Sequence, residues 1–224
     1  MAVDVVITSC DRFELLEKTI QYLLERTATP YRLFVIDDGS QDPRILDLLS
    51  LLYDSDLVHY VHMRPERTGQ RANIHLAYRL TASDPVVLVD DDILCPLVVP
   101  DWLSRGLNAL KRDDRLGMLA LNHPGAKRKD RGSSGSVTYC KSLGGTYLFV
   151  RRAVLASVPY PERPGDFGRA IEPLCVSARE AGWKLGYLTG TFCYHTGRAS
   201  VQDGQAYKGK FIEPKDWETL EPEW

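Results

Sequence analysis

The chain has 224 residues, 44% of them apolar and 26% charged, with 17 Gly and 13 Pro. That is globular usage, which excludes collagenous, low-complexity and disordered readings and predicts one compact domain with a core that needs no disulfide or structural-metal staple. With 28 Lys and Arg against 30 Asp and Glu, the formal charge of -2 offers no global attraction to nucleic acid or anionic lipid, so either partner would need a local patch.

Val3 to Thr8 is a short β-branched run that reads as a strand. Leu15, Leu16, Thr19, Ile20, Leu23 and Leu24 follow at helical spacing. Tyr31 to Ile36 predicts a second strand, stopped by Asp37-Asp38-Gly39-Ser40, and Asp42-Pro43 opens a helix that runs to Leu52. Leu57 to His62 reads as a third strand, Thr68 to Leu80 as a helix, and Pro85 to Val89 as a fourth strand running into Asp90, Asp91 and Asp92. Strands that alternate with helices imply right-handed crossovers and a mainly parallel sheet flanked by helices, with ligands gathered at the carboxyl ends of the strands.

The second half is less regular. Trp102 to Leu110 predicts a helix, Leu116 to Leu121 a strand, and His123 to Ser136 a polar Gly- and Ser-rich loop. Thr146 to Val150 returns to a strand, Ala170 to Ala181 to a helix, and Trp183 to Leu188 to a last strand before Tyr194-His195. The cysteines Cys10, Cys95, Cys140, Cys175 and Cys193 are scattered with no C-x-x-C pair, which fits a reducing compartment better than a disulfide framework or a zinc knuckle. The N-terminus lacks the basic start and cleavage site of a signal peptide, and no apolar run reaches the ~20 residues of a membrane span, so a soluble, cytoplasmic protein is expected.

Three consecutive carboxylates at the end of an apolar strand repel one another unless water, hydrogen bonds or a cation offsets the charge. The bland alternative is a solvated turn. A hard divalent ion, Mg²⁺ or Mn²⁺, suits Asp90 to Asp92 and would keep open positions for phosphate oxygens. Asp37 and Asp38 end another strand, where a carboxylate can accept hydrogen bonds from a base or ribose, and Thr8 and Ser9 can complete such a pocket. Neither G-x-G-x-x-G nor a P-loop is present, which disfavours the dinucleotide and P-loop folds.

VDVVITSCDR, FVIDDGS, NIHLAYRL, VVLVDDDI, LGGTYLFVRRAVL, AREAGWKLGYL and CYHTG occur in that order. Together they resemble the GT-A-fold glycosyltransferases, family 2 in particular, from the N-terminus to Gly197. The resemblance implies a nucleotide-sugar-binding half over residues 1–95, an acceptor half over 96–200 and a tail over 201–224. It places Thr8, Asp37 and Asp38 against the donor nucleotide, and Arg71 and Asn73 among the residues that hold the donor. The acidic triplet matches the family's D-x-D motif, with Asp92 as the direct metal ligand and Asp90 or Asp91 as a ribose or water-mediated metal contact. His195 is a metal ligand or diphosphate contact by the same resemblance.

For the catalytic base the chain departs from the family's E-D-x-D-L pattern. Glu172 lies nearest the motif and Asp166, in a Gly-flanked loop, is its rival; either is also compatible with a plain helix N-terminal acid. The expected reaction is transfer of a sugar from a nucleoside diphosphate sugar, UDP by default, to an acceptor hydroxyl, by one direct displacement that inverts the anomeric centre. Lys127 to Arg131 reads as a solvated basic loop or as attraction for an anionic acceptor, nucleic acid included. The alternatives are a sugar nucleotidyltransferase, for which the Gly-rich basic loop after the first strand is missing, and a nucleotide-sugar-binding module without a base.

Overall fold

In a computed structural model of the chain, the described residues are 2–122, 130–144, 147–157 and 171–195. In chain order the elements begin β1 (Val3–Ser9), α1 (Phe13–Arg26), β2 (Tyr31–Asp37), α2 (Pro43–Asp54), β3 (Tyr60–Met63), α3 (Gln70–Leu80) and β4 (Val86–Asp90). They continue with β5 (Ile93–Leu94), α4 (Trp102–Arg112), β6 (Leu116–Asn122), β7 (Asp130–Ser134), β8 (Val137–Cys140), β9 (Leu148–Val150) and α5 (Arg152–Ser157). Last come α6 (Ile171–Glu180), β10 (Lys184–Phe192) and β11 (Tyr194–His195).

The central sheet has nine strands in the order β3-β2-β1-β4-β9-β6-β10-β8-β7. All of them except β8 and β9 run the same way, so the sheet is mostly parallel, as the alternation of strands and helices predicts. Helices cover both faces. Leu16, Ile20 and Leu23 of α1, Ile45 and Leu49 of α2, and Trp102 and Leu103 of α4 pack on one side. Ile74 and Ala77 of α3, Val154 of α5, and Leu174 and Ala178 of α6 pack on the other. Strand β1 serves both layers: Val3, Val5 and Ile7 face the first and Val6 the second, the two-residue period of a strand buried on both sides.

Local chemistry sets the boundaries. Pro43 stands at the start of α2, where its missing N–H costs nothing, and the Asp42 carboxylate caps the Arg44 N–H at 3.0 Å. Asp101 caps α4 through the Ser104 N–H at 2.9 Å and also accepts from the Ala28 and Thr29 N–H groups, which ties the end of α1 to α4. At Gly106 a Cβ would lie 2.2 Å from the Phe149 ring, so only glycine lets α4 approach β9 this closely.

The second half departs from expectation in two places. The polar run read as a loop contains β7, which forms an antiparallel hairpin with β8; β8 pairs with β10, and its buried Val137 and Cys140 enter the two opposite core layers. Strand β10 extends to Phe192 rather than stopping at Leu188. No helix among the described residues is long and apolar enough to cross a membrane.

Candidate functional site

Parallel pairing lines up the carboxyl ends of the first strands. Thr8 of β1 lies opposite Ile36 of β2 on one side and Asp90 of β4 on the other, and Ser9 lies opposite Asp37. Thr8, Ser9, Asp37, Asp38 and the triplet Asp90 to Asp92 therefore share one edge of the sheet. The short strand β5 then pairs with β11, His195 opposite Ile93, which returns the chain to the triplet from far along the sequence. His195 Nε2 lies 3.7 Å from Asp92 Oδ1.

The three carboxylates have different surroundings. Asp90 accepts from Gln70 Nε2 at 2.8 Å. It borders a small cleft, with room for about one water molecule, shared with Thr8, Gln70, Leu148 and Ile171. Burial, then the neighbouring charges of Asp92 and Asp91, push its pKa up to about 8 against the pull of Arg12 and Gln70. Asp91 is fully buried. Arg12 Nε reaches its Oδ2 at 3.2 Å and Arg12 Nη2 its Oδ1, while the Thr19 hydroxyl donates to its backbone carbonyl at 2.9 Å. Burial raises the Asp91 pKa and Arg12 opposes the rise. Asp92 accepts from Arg12 Nη1 at 2.9 Å through Oδ2, leaving Oδ1 on the His195 side. The three acids thus divide into one on the cleft, one locked inward on Arg12, and one held between Arg12 and His195. The inward turn of Asp91 differs from its expected contact with the donor.

The other expected donor residues are also tied to protein. Asp37 accepts from the Ser40 N–H at 2.9 Å and from the Ser40 hydroxyl, closing the turn after β2. Asp38, 4% exposed, accepts from the Thr68 N–H and hydroxyl and from the Gly69 N–H, each at 2.8 Å, and so fixes the entry to α3. Asn73 is buried, with Oδ1 accepting from Arg64 Nε at 2.8 Å. Arg64 also stands 3.9 Å from Asp38. Arg71, the second residue of α3, is half-buried. Ser9 Oγ is buried beside Asp91 and lowers its proton affinity without reaching hydrogen-bond geometry to any partner.

Glu172 is exposed in the first turn of α6, directly after the cleft residue Ile171, so that helix start borders the site. Asp166, Lys127 to Lys129 and the tail over 201–224 lie outside the described residues, and Arg131 falls within β7. Arg12, Gln70 and Arg64 were not anticipated. Their only trace in the sequence is a cation or amide within two residues of a strand end or helix start.

Among the described residues no group of three or more His, Cys, Asp or Glu side chains is arranged to enclose a metal on its own. Asp92 Oδ1 and His195 Nε2 lie 3.7 Å apart, so one ion with ~2.1 Å bonds to both would subtend about 120° between them, and a closure of roughly 0.7 Å would bring that to the octahedral ~90°. Two protein ligands fit a hard divalent ion that draws the rest of its coordination from phosphate oxygens and water. The donor set is therefore compatible with Mn²⁺ or Mg²⁺.

Solved structures share this architecture. GalNAc-T7 with UDP, GalNAc and Mn²⁺ superposes with a TM-score of 0.70 at 12% identity, covering 87% of this chain and 44% of that one. The mannosyltransferase PcManGT from Pyrobaculum calidifontis, in complex with GDP-Man and Mn²⁺, gives 0.67 at 18% identity over 88% of this chain and 57% of that one. S. aureus TarS gives 0.66 at 14% identity over 88% and 37%. At such identities the likeness concerns the fold, which is GT-A, and the chain spans 37% to 57% of the length of these proteins. No curated protein sequence matches the chain. The family model described as glycosyl transferase family 2 matches residues 4–147, which hold β1 through β8 and the whole acidic triplet, and the chain belongs to that family.

Proposed function

We propose that this chain is the catalytic domain of a divalent-metal-dependent glycosyltransferase that moves a sugar from a nucleoside diphosphate sugar to an acceptor hydroxyl with inversion. The observation that carries the reading is the convergence of Asp90, Asp92 and His195 at the carboxyl ends of the parallel strands, beside the cleft lined by Thr8 and Gln70. Residues 1–95 form the donor half and residues 96–200 the acceptor half. Asp92 and His195 hold the ion. When bound, it offsets the charge that appears on the departing diphosphate.

Thr8, Ser9 and Asp90 line the donor position, Asp90 offering ribose the face that it turns to the cleft. Asp38 acts on the nucleotide by shaping the Thr68-Gly69 turn, and Asn73 and Arg71 present the start of α3 to the diphosphate. Glu172, exposed beside the cleft, takes the acceptor proton as the hydroxyl oxygen attacks the anomeric carbon; Asp166 is the rival for that step. Two neighbours were solved with a UDP or GDP-sugar ligand and Mn²⁺, which supports a nucleotide-sugar donor and leaves the base to measurement.

The test is thermal stabilisation of the protein by UDP, GDP and their sugar conjugates, each with Mn²⁺ and with chelator, since a ligand of the native state raises the midpoint by mass action. A shift for one diphosphate that disappears with chelator is expected and names the base. No shift with any of them would overturn the donor assignment.

A further inference from the structure

We infer that Arg12 is the positioning residue of the metal site, holding Asp92 by one carboxylate oxygen so that the other faces His195. The inference rests on the proposed binding of a divalent ion by Asp92 and His195. Arg12 lies just before α1, and its side chain is only 18% exposed. Three of its atoms are used: Nε and Nη2 grip Asp91, and Nη1 grips Asp92 Oδ2 at 2.9 Å. Asp92 is thereby fixed in rotation, with Oδ1 toward His195 Nε2.

The backbone is built to deliver that grip. Asp11, the residue before, has φ of 51°, a left-handed conformation that is uncommon outside glycine and that Asp reaches more readily than most residues because its short side chain can hydrogen-bond locally. Its carboxylate accepts from the Gln41 and Asp42 N–H groups at 2.6 and 3.2 Å, and its own N–H donates to Ser40 Oγ at 2.9 Å. Ser40 in turn is held by Asp37. Hydrogen bonds therefore fix Asp11 on the Asp37-Gly39-Ser40 turn, the peptide bond carries that constraint to Arg12, and the Arg12 side chain passes it on to Asp91 and Asp92. The Thr19 hydroxyl fixes the Asp91 backbone from the same helix.

A cation this close to a metal ligand would repel the ion if it stood alone. Arg12 does not stand alone, because fully buried Asp91 answers its charge at two contacts. The Arg12–Asp91 pair is close to neutral as seen from Asp92, so orientation of the ligand is what Arg12 adds. Groups that orient a metal ligand without touching the metal are worth 10–100-fold in affinity. Lysine keeps the charge but lacks the planar fork that reaches two carboxylates at once.

The experiment is Mn²⁺ titration of the chelator-stripped full chain by calorimetry, without donor, for the wild type, Arg12→Lys, Arg12→Gln and Asp92→Asn, with a thermal midpoint for each. Expected is Mn²⁺ binding in the wild type, its loss in Asp92→Asn, and weakening by roughly 10–100-fold in both Arg12 variants. Arg12→Lys should keep a midpoint near the wild type and decides the matter if Arg12→Gln fails to fold. Unchanged or tighter Mn²⁺ binding by folded Arg12→Lys would overturn the role of Arg12 while leaving the metal site standing. A wild type that takes up no Mn²⁺, or an Asp92→Asn protein that binds as well as the wild type, would overturn the metal site and this inference with it.

Discussion

A lone buried carboxylate and a cluster of three sit at opposite ends of the same paired strands and are treated in opposite ways. At the amino end, Asp4 of β1 is fully buried and answered on every side: Arg32 Nε donates at 2.7 Å, and the Ala82 and Ser83 N–H groups donate at 2.7 and 2.9 Å. Burial would raise its pKa, but those hydrogen bonds and the Arg32 charge together hold it below the ordinary value. At the carboxyl end, a single guanidinium serves Asp91 and Asp92, Asp90 has an uncharged amide for a partner, and its pKa rises to about 8. A carboxylate whose partners are complete is part of the scaffold. A cluster whose charge exceeds its partners is set to take a cation or a proton from outside.

The largest expected effect divides the two ends by activity. Asp92→Asn should cut sugar transfer by roughly 10²–10³-fold, several kcal/mol of lost charge stabilisation, while the thermal midpoint moves little. Transfer within tenfold of the wild type would remove Asp92 from the metal site. At the other end, Asp4→Ala strands the buried Ser83 N–H, whereas the N–H of exposed Ala82 and the Arg32 side chain, 40% exposed, can return to water. The cost to stability should be about 2–3 kcal/mol in urea unfolding, with transfer per folded molecule unchanged. A loss below 0.5 kcal/mol, roughly the scatter of a neutral surface change, would mean that the Asp4 contacts are not fully made.

How much of this contrast can be read from the chain follows from the range of each interaction. The apolar runs ending at Asp37 and Asp90 are local signals, so the strands, their order in sequence and the acidic edge are legible. Arg12 is not, because its target lies far along the chain and its aim depends on the left-handed turn at Asp11. His195 is legible only through resemblance: β5 and β11 have two residues each, too short for any periodicity, yet their pairing is what brings it to Asp92. Hairpin β7–β8 hides for a different reason. Gly- and Ser-rich composition reads as a loop, and it becomes strand only because β10 offers β8 an edge to pair with. Asp37 and Asp38 can be read as the end of β2, but their hydrogen bonds to Ser40, Thr68 and Gly69 cannot be seen until the turns are folded.

The two ends should also respond oppositely to pH. Asp90 takes up its proton near pH 8 in the folded chain but only near ~3.9 when unfolded. Between those values the native state binds more protons, so Asp90 makes stability fall as pH rises from about 4 to about 8. Asp4 has the reverse sign: its contribution is complete above about pH 4 and is lost as pH falls through its lowered native value. In chelator, unfolding free energies from urea titrations at pH 4.5 to 8.5 should decline more steeply for the wild type than for Asp90→Asn, by up to about 1.4 kcal/mol per pH unit. Parallel profiles would place the uncompensated charge on another residue.

The smallest effect tests whether the carboxyl end is held for binding rather than for stability. Thr19 donates its hydroxyl to the Asp91 carbonyl from inside the α1 core layer, and Ser83 holds the amino end by accepting from the Asp4 N–H and donating to the Pro85 carbonyl, both at 2.8 Å. Thr19→Val keeps the shape and leaves one buried carbonyl unanswered, for about 1 kcal/mol. Ser83→Ala leaves two backbone groups unanswered and should cost about 2 kcal/mol. Stability alone would therefore rank Ser83 above Thr19. Stabilisation by Mn²⁺ should reverse the ranking: without the Thr19 hydroxyl the Asp91 backbone can shift, and Asp92 with it, whereas nothing at Ser83 bears on the ion. An equal Mn²⁺-dependent rise in midpoint for both variants would mean that α1 supports the triplet only as scaffold, and that the two ends of the sheet differ in charge but not in purpose.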